Sequence, residues 1–271
     1  MPGFLYPNDP LHPRRPEPFF ADEFDAILAA GFEAAVFSLE SLVEDDRFIP
    51  ASPLPSGDII YRGWMLSPHH YEALYAAVLT KGARLLTDPK TYLSTHHLPK
   101  WYPLIAELTP ETHIFPATDD IVAALTALGW SEFFVKDYVK SLKTSRGCAI
   151  ISDPTDVVGL AREMRRFRGT IEGGFCIRRV EEFILDTEQR YFVFNRIAHA
   201  SEPGEIPDLV LRCAERIQSP FFSVDIVQRA DGLWRVVELG DGQVSDLVGW
   251  SPAQFTKIFG SSQSHGGILL P

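Results

Sequence analysis

FSVDIVQRADGLWRVVELGDGQVSDL, residues 222 to 247, reads as two strands around a turn. FSVDIV and LWRVVELG are apolar runs, and Asp231-Gly232 between them is a tight-turn signal. A two-residue turn at that point sets Asp225 directly opposite Glu238 on the neighbouring strand. Opposed residues project to the same face, with Cβ atoms about 5 Å apart. Two carboxylates that close repel each other, and a divalent cation between them turns the repulsion into a chelate. Asp241, wedged between Gly240 and Gly242, offers a third oxygen donor at the strand end. The plainer alternative is a β-turn with an acid facing solvent on the open side of a sheet, and a bulge would shift the register.

The chain has 271 residues, enough for a large core divided into two or three lobes. Its net charge of −11 argues against a nucleic-acid binder working by bulk electrostatics. Cys148, Cys176 and Cys213 lie far apart, with no CxxC spacing, so no zinc ribbon or disulfide framework is predicted. A reducing, cytoplasmic setting is the expectation. No apolar run reaches the length of a membrane span, and the N-terminus lacks the apolar core of a signal peptide.

Residues 1–98 alternate strand-like and helix-like text. Strands are predicted at 3–6, 34–39, 58–66 and 83–88, and helices at 20–31 and 67–82, the second opened by Ser67-Pro68. That order predicts a small α/β unit with a mostly parallel sheet. The proline-punctuated stretch 98–116 reads as a connection. A helix capped by Thr118 follows at 118–129, then strands at 131–139 and 146–152 and a helix at 153–169. Strands at 175–184, 189–200, 221–229 and 233–240, with a helix at 208–219, predict an antiparallel sheet. The predicted units are 1–98, 99–184 and 185–260, with a flexible Gly/Ser-rich tail at 261–271.

Further motifs surround the opening stretch. FFVKDYVKSLKTSRG (133–147) puts Lys136 on a strand among apolar neighbours and sets Lys140, Lys143 and Arg146 in a polar loop suited to gripping phosphates. RRVEEFILDTEQRYFV (178–193) carries Glu181 and Glu182, then Phe183, then Glu188 and Arg190. By themselves these read better as a solvated basic hairpin and a strand–turn–strand with exposed acids. Arg62, ending the 58–66 strand, is a substrate-contact candidate, because open α/β sheets bind ligands beyond their strand ends, or else a surface salt bridge. The pairs His69-His70 and His96-His97 read as surface histidines, since adjacent helical residues do not face each other.

The four motifs in this order resemble the ATP-grasp superfamily of carboxylate–amine ligases, over about residues 112–259. YRGWML (61–66) and ELGDGQVS (238–245) are similar to its compact clade named for two arginines and one lysine. The resemblance implies an α+β fold: an ATP-grasp fold of two α+β lobes preceded by a small α/β domain. It implies ATP and Mg²⁺ as cofactors, and a ligase that forms amide or peptide bonds through an acylphosphate. Nucleotide contacts fall on Lys136, Lys140, Glu181, Glu182, Phe183 and Glu188; Arg190 and Lys143 take catalytic roles; the metal falls to Asp225, Glu238 and Asp241. The substrate is a small molecule, an amino acid or a peptide, with no nucleic acid or membrane partner. Gly240 stands where many members have Asn. The alternatives are a non-catalytic nucleotide-binding module of the same fold and a kinase-like phosphotransferase.

Overall fold

The computed structural model describes residues 1–117, 120–139, 149–169 and 171–260, which form three four-stranded sheets. In the first, β1 (Gly3–Pro7), β2 (Ala34–Phe37), β3 (Asp58–Tyr61) and β4 (Arg84–Leu85) run parallel in the order β2-β1-β3-β4. Parallel neighbours need crossover segments, supplied by α1 (Ala21–Ala29), α2 (Leu39–Asp45) and α3 (Pro68–Thr80). Both faces of this sheet are covered. Phe4, Tyr6, Val36 and Ile60 pack against α1, while Leu5, Phe37, Ile59 and Tyr61 pack against α3. That is why these strands are unbroken apolar runs.

The second sheet is antiparallel, in the order β5-β8-β6-β7: β5 (Thr112–Pro116), β6 (Phe133–Asp137), β7 (Ile150–Ile151) and β8 (Gly174–Arg179). Phe133, Val135, Phe175 and Ile177 turn one face onto α6 (Ile121–Leu128) and α7 (Asp156–Arg168). The third sheet, order β10-β9-β11-β12, holds β9 (Phe183–Phe194), β10 (Ile197–His199), β11 (Phe221–Arg229) and β12 (Trp234–Asp241). Tyr191, Val193, Phe222, Val224, Ile226, Val236 and Leu239 face one core with α8 (Asp208–Arg216). Phe192, Phe194 and Phe221 face the other way, into the aromatic core shared with β1 and with α9 (Pro252–Gly260). Among the described residues no helix is long and apolar enough to cross a membrane.

Several expectations are corrected. The stretch 98–116 is not a bare connection. It holds α5 (Leu98–Ile105), a short 3-10 turn and β5. Leu98, Trp101 and Ile105 lie on one helical face and are buried with α8 in the core under the third sheet, which Cys176 of the second sheet also joins. Pro99 sits in the first turn, where it is tolerated, and Pro103 interrupts a helix of only 8 residues. The preceding helix, α4 (Pro89–His96), is capped by the Asp88 carboxylate, which accepts from the Lys90 and Thr91 amides. His96 on it is buried and stacked on Tyr92, so it is not a surface residue. The cap of α6 is Asp120; Thr118 lies outside the described residues. The run 175–184 splits at 180–182 because the chain there passes from the second sheet to the third. Asn195 and Arg196, both at positive φ, turn β9 back into β10 within what reads as one strand.

Arg62 is neither a substrate contact nor a surface salt bridge. It is 2% exposed and forks onto Glu23 of α1, with both contacts 2.7 Å. Its third nitrogen donates to the carbonyls of Gly242 and Ser245, and the guanidinium lies 4.6 Å from the centre of the Phe255 ring. Tyr6 donates to the same Glu23 carboxylate. One buried cation thus ties β3 and α1 of the first unit to the turn after β12. Removing one member of such a pair strands the other charge in the core. Glu23→Gln is expected to destabilise the chain by about 3–5 kcal/mol, read from the urea midpoint, and Glu23→Leu combined with Arg62→Met to recover most of that loss.

Candidate functional site

The β11–β12 hairpin pairs Asp225 with Glu238, as the spacing predicts. The route to that register is different. The turn is a three-residue loop, Ala230 to Gly232, with Gly232 at φ 87° and the Arg229 amide bonded to the Leu233 carbonyl at 2.8 Å. This sets Ile226 opposite Val236. A bulge at Val237 then adds one residue to β12 and restores Asp225 to Glu238. The bulge also turns the Val237 carbonyl toward β8, where Arg178 donates to it at 2.6 Å.

Alternation along the strands sorts the acids. Phe222, Val224, Leu239 and Val236 are in the apolar core, so Asp225, Glu238, Ser223 and Gly240 share the opposite face. Asp225 also lies opposite Arg190 of β9, which forks onto it at 2.7 and 2.6 Å. Arg190 donates further to the Asp246 carbonyl, and its own carbonyl accepts from the Trp250 indole. Burial and the facing Glu238 push the Asp225 carboxyl up, against the pull of Arg190. Arg190 stays charged: Asp225 outweighs the cost of burial.

The second sheet meets this face at Glu238. Lys136 of β6 is buried and reaches Glu238 at 3.9 Å. Cys176, opposite Lys136 in the register, and Arg178 two residues on share its side of the sheet. Arg178 is buried and donates to the Thr109 hydroxyl as well as to Val237, and among the described residues its Nε has no hydrogen-bond partner. Burial lowers the Lys136 ammonium and pushes the Arg178 guanidinium down to about 10. Among the described residues, Glu238 is the strongest countercharge for both cations, and it is about half exposed. Arg178 is the residue the sequence motifs miss. Its signal is alternation, since it and Cys176 share one face of a strand. Its pairing with Lys136's strand crosses some forty residues and is not written locally.

A cavity of about 590 Å³ brings Glu188, Arg190, Asp225 and Glu238 together, rimmed by residues 200–205. Glu181, Glu182 and Val180 lie at the crossing between sheets and line a different cavity of about 670 Å³. This larger cavity lacks the opposed acids, and Lys136 lines neither cavity. Its Glu181 carboxylate is occupied by Arg229 and Arg235, at 3.4 and 3.1 Å. The Glu182 carbonyl accepts from Ala230, and Phe183 opens β9 opposite Arg229. Lys140 and Lys143 lie outside the described residues.

Asp241 is not brought to the other acids. It pairs with Phe222 on the core side and is fully buried against α4. Its oxygens accept from the Thr95 hydroxyl at 3.1 Å and from the Gln243 amide and side chain, each at 3.0 Å. On the site face, Gly240 leaves room only for hydroxyls. A Cβ there would stand 3.0 Å from Ser223 Oγ and 3.1 Å from Ser245 Oγ, which are bonded to each other at 2.7 Å. As a Mg²⁺ donor set the face fits: two carboxylates on adjacent strands, the number of protein ligands that ion usually takes beside phosphate oxygens. The Arg190 fork uses one acceptor site on each Asp225 oxygen and leaves the second lone pair of each.

Residues 127–258 match the ATP-grasp domain, in family 3 of the clade named for two arginines and one lysine. The chain has the ATP-grasp fold. A RimK-domain ATP-grasp protein from Sphaerobacter thermophilus superposes with a TM-score of 0.62 at 15% identity, over 95% of this chain and 99% of that one. The D-alanine–D-alanine ligase from Coxiella burnetii gives 0.62 at 12% identity, over 96% and 94%. The ATP-grasp ligase PsnB, complexed with a minimal precursor, gives 0.57 at 13%, over 94% and 97%. No curated protein matches the sequence. In these terms, Lys136 and Arg178 come from one ATP-grasp sheet, Arg190, Asp225 and Glu238 from the other, and residues 180–182 are the crossing between them.

Burial pushes the Asp241 carboxyl up to about 6 from an ordinary value of 3.8. Its stabilising contribution is therefore full below pH 3.8 and lost as the pH rises through about 6. Asp241→Asn keeps the acceptor for the Gln243 amide and removes that dependence. Urea unfolding is expected to show a flatter stability profile between about pH 4 and 7, with a gain of up to about 3 kcal/mol at neutral pH. A steeper profile would contradict the assignment.

Proposed function

We propose that this ATP-grasp protein is an ATP-dependent ligase joining a carboxylate to an amine, through an acylphosphate and with Mg²⁺. The observation that carries this reading is the pair of buried cations, Lys136 and Arg178, on one face of the second sheet. Among the described residues, Glu238, about half exposed, is the strongest countercharge for both, and Arg178 Nε has no hydrogen-bond partner. A buried cation short of countercharge is costly, and a triphosphate would supply it. Across the cleft, Asp225 and Glu238 would hold Mg²⁺, which supplies charge neutralisation on phosphate oxygens. Lys136 and Arg178 grip the phosphates from the other side. The substrate carboxylate and the triphosphate repel each other, so these cations must bring them together and stabilise the in-line transition state. Arg190, once part of its fork leaves Asp225, has donors for the substrate carboxylate or the transferred phosphoryl group.

The substrate class is an amino acid or a peptide. Support comes from the fold neighbours: a D-alanine–D-alanine ligase, a ligase complexed with a minimal precursor, Mg and ADP, and a macrocyclase bound with a precursor peptide. A second reading, a nucleotide-binding module without turnover, is favoured by Gly240 and its serine pair in place of an Asn side chain.

ADP release in the presence of Mg²⁺ and pooled amino acids and peptides, with mass spectrometry of products, tests both readings. The ligase reading expects turnover in wild type and its loss in Lys136→Ala and in Glu238→Ala, each with an unchanged circular dichroism spectrum. Undiminished turnover in either variant would sink the assignment, and nucleotide binding without any turnover would select the second reading.

A further inference from the structure

Away from the cleft, three metal-ligating side chains converge on the first unit. α2 ends at Asp46, which holds a left-handed φ of 53°, and the Arg47 amide is bonded back to the Ser41 carbonyl at 2.9 Å. A non-glycine residue in that region is uncommon and fixes the direction of its side chain. α3 begins across from it. Ser67 caps the helix by accepting from the His70 amide at 3.2 Å, so His69 and His70 stand on a pinned first turn. Their rings are 5.3 Å apart and inclined at 55°. His69 Nε2 lies 2.9 Å from Asp46 Oδ1.

We infer that Asp46, His69 and His70 form a binding site for a zinc-type divalent cation. One donor atom from each lies within 4.8 Å of the other two. Among the described residues this is the one group of three or more His, Cys, Asp or Glu side chains that converges so closely. Four-coordinate zinc, with bonds of about 2.0–2.2 Å, holds its ligand atoms about 3.3 Å apart. The remaining adjustment falls on exposed side chains: His69 is 68% exposed and Asp46 56%. Adjacent histidines fail to face each other along a helix, but here the third ligand arrives from another element and draws on both. Two imidazoles with one carboxylate suit zinc, nickel or copper over magnesium, which prefers oxygen. Among the described ion pairs, none joins Asp46, His69 or His70 to a lysine or arginine that would take the cation's place. The ion would fasten the end of α2 to the start of α3 with water in its open position. It would brace residues 46–57 that lead into β3. The site owes nothing to the ATP-grasp reading.

The test is a Zn²⁺ titration of the full-length protein against a chromogenic chelator, alongside thermal melts. Wild type is expected to take up one ion at this site and to melt higher with zinc. Asp46→Asn, His69→Ala and His70→Ala are each expected to weaken binding by on the order of tenfold or more and to lose the zinc-dependent rise in melting temperature. Binding equal to that of a His69→Ala/His70→Ala double variant, or no uptake at all, would overturn the proposal. Circular dichroism of the variants without metal confirms that they fold.

Discussion

Two carboxylates fixed side by side on neighbouring strands must be given countercharge, and much of the cleft is organised around that demand. Asp225 and Glu238 are opposed in the β11–β12 ladder and cannot separate without breaking it. Within their own sheet, Arg190 answers Asp225 with a two-point fork. From the facing sheet Lys136 approaches Glu238, and Arg178 reaches the carbonyl that the bulge at Val237 turns outward. The bulge therefore does two things. It keeps the acids opposed, and it supplies a neutral acceptor for a buried guanidinium.

The apolar layers decide where those charges can sit. Val224, Ile226, Val236 and Leu239 bury one face of the third sheet, which forces the alternate residues onto the cleft side. The aromatic core around Phe192, Phe194, Phe221 and Phe259 binds the third sheet to the first unit. Arg62 stitches the same joint with one buried guanidinium. Asp241 extends the joint to α4 through Thr95, and Gln243 extends it to α3 through Tyr71. Residues near the acids in sequence thus serve the frame that holds the cleft, and Arg62 and Asp241 are the two cases where a charged side chain reads as functional but is structural.

Local text was sufficient where one element acts alone. Ser67-Pro68 starts α3 and the apolar alternation of 221–229 makes a strand. It was misleading where prolines masked an amphipathic stripe, as in α5, whose Leu98, Trp101 and Ile105 are helical only because α8 and the third sheet are there to cover them. The Asp225–Glu238 pairing was legible for a reason only half correct. A turn one residue longer than the Asp-Gly signal suggests is offset by one extra residue at the bulge. Neither departure has a mark in the sequence, because both are set by sheet twist and by what packs on each side.

The sequence by itself placed most of the longer strands and the opposition of Asp225 and Glu238, and it singled out Lys136 and Arg190, because period-two alternation and hairpin spacing are local properties. Tertiary structure alone decided that Arg178 joins Lys136, that Asp241 turns away and that Arg62 is buried. Each of those outcomes depends on which face of a strand meets a surface built from residues far along the chain, and no local spacing encodes that meeting.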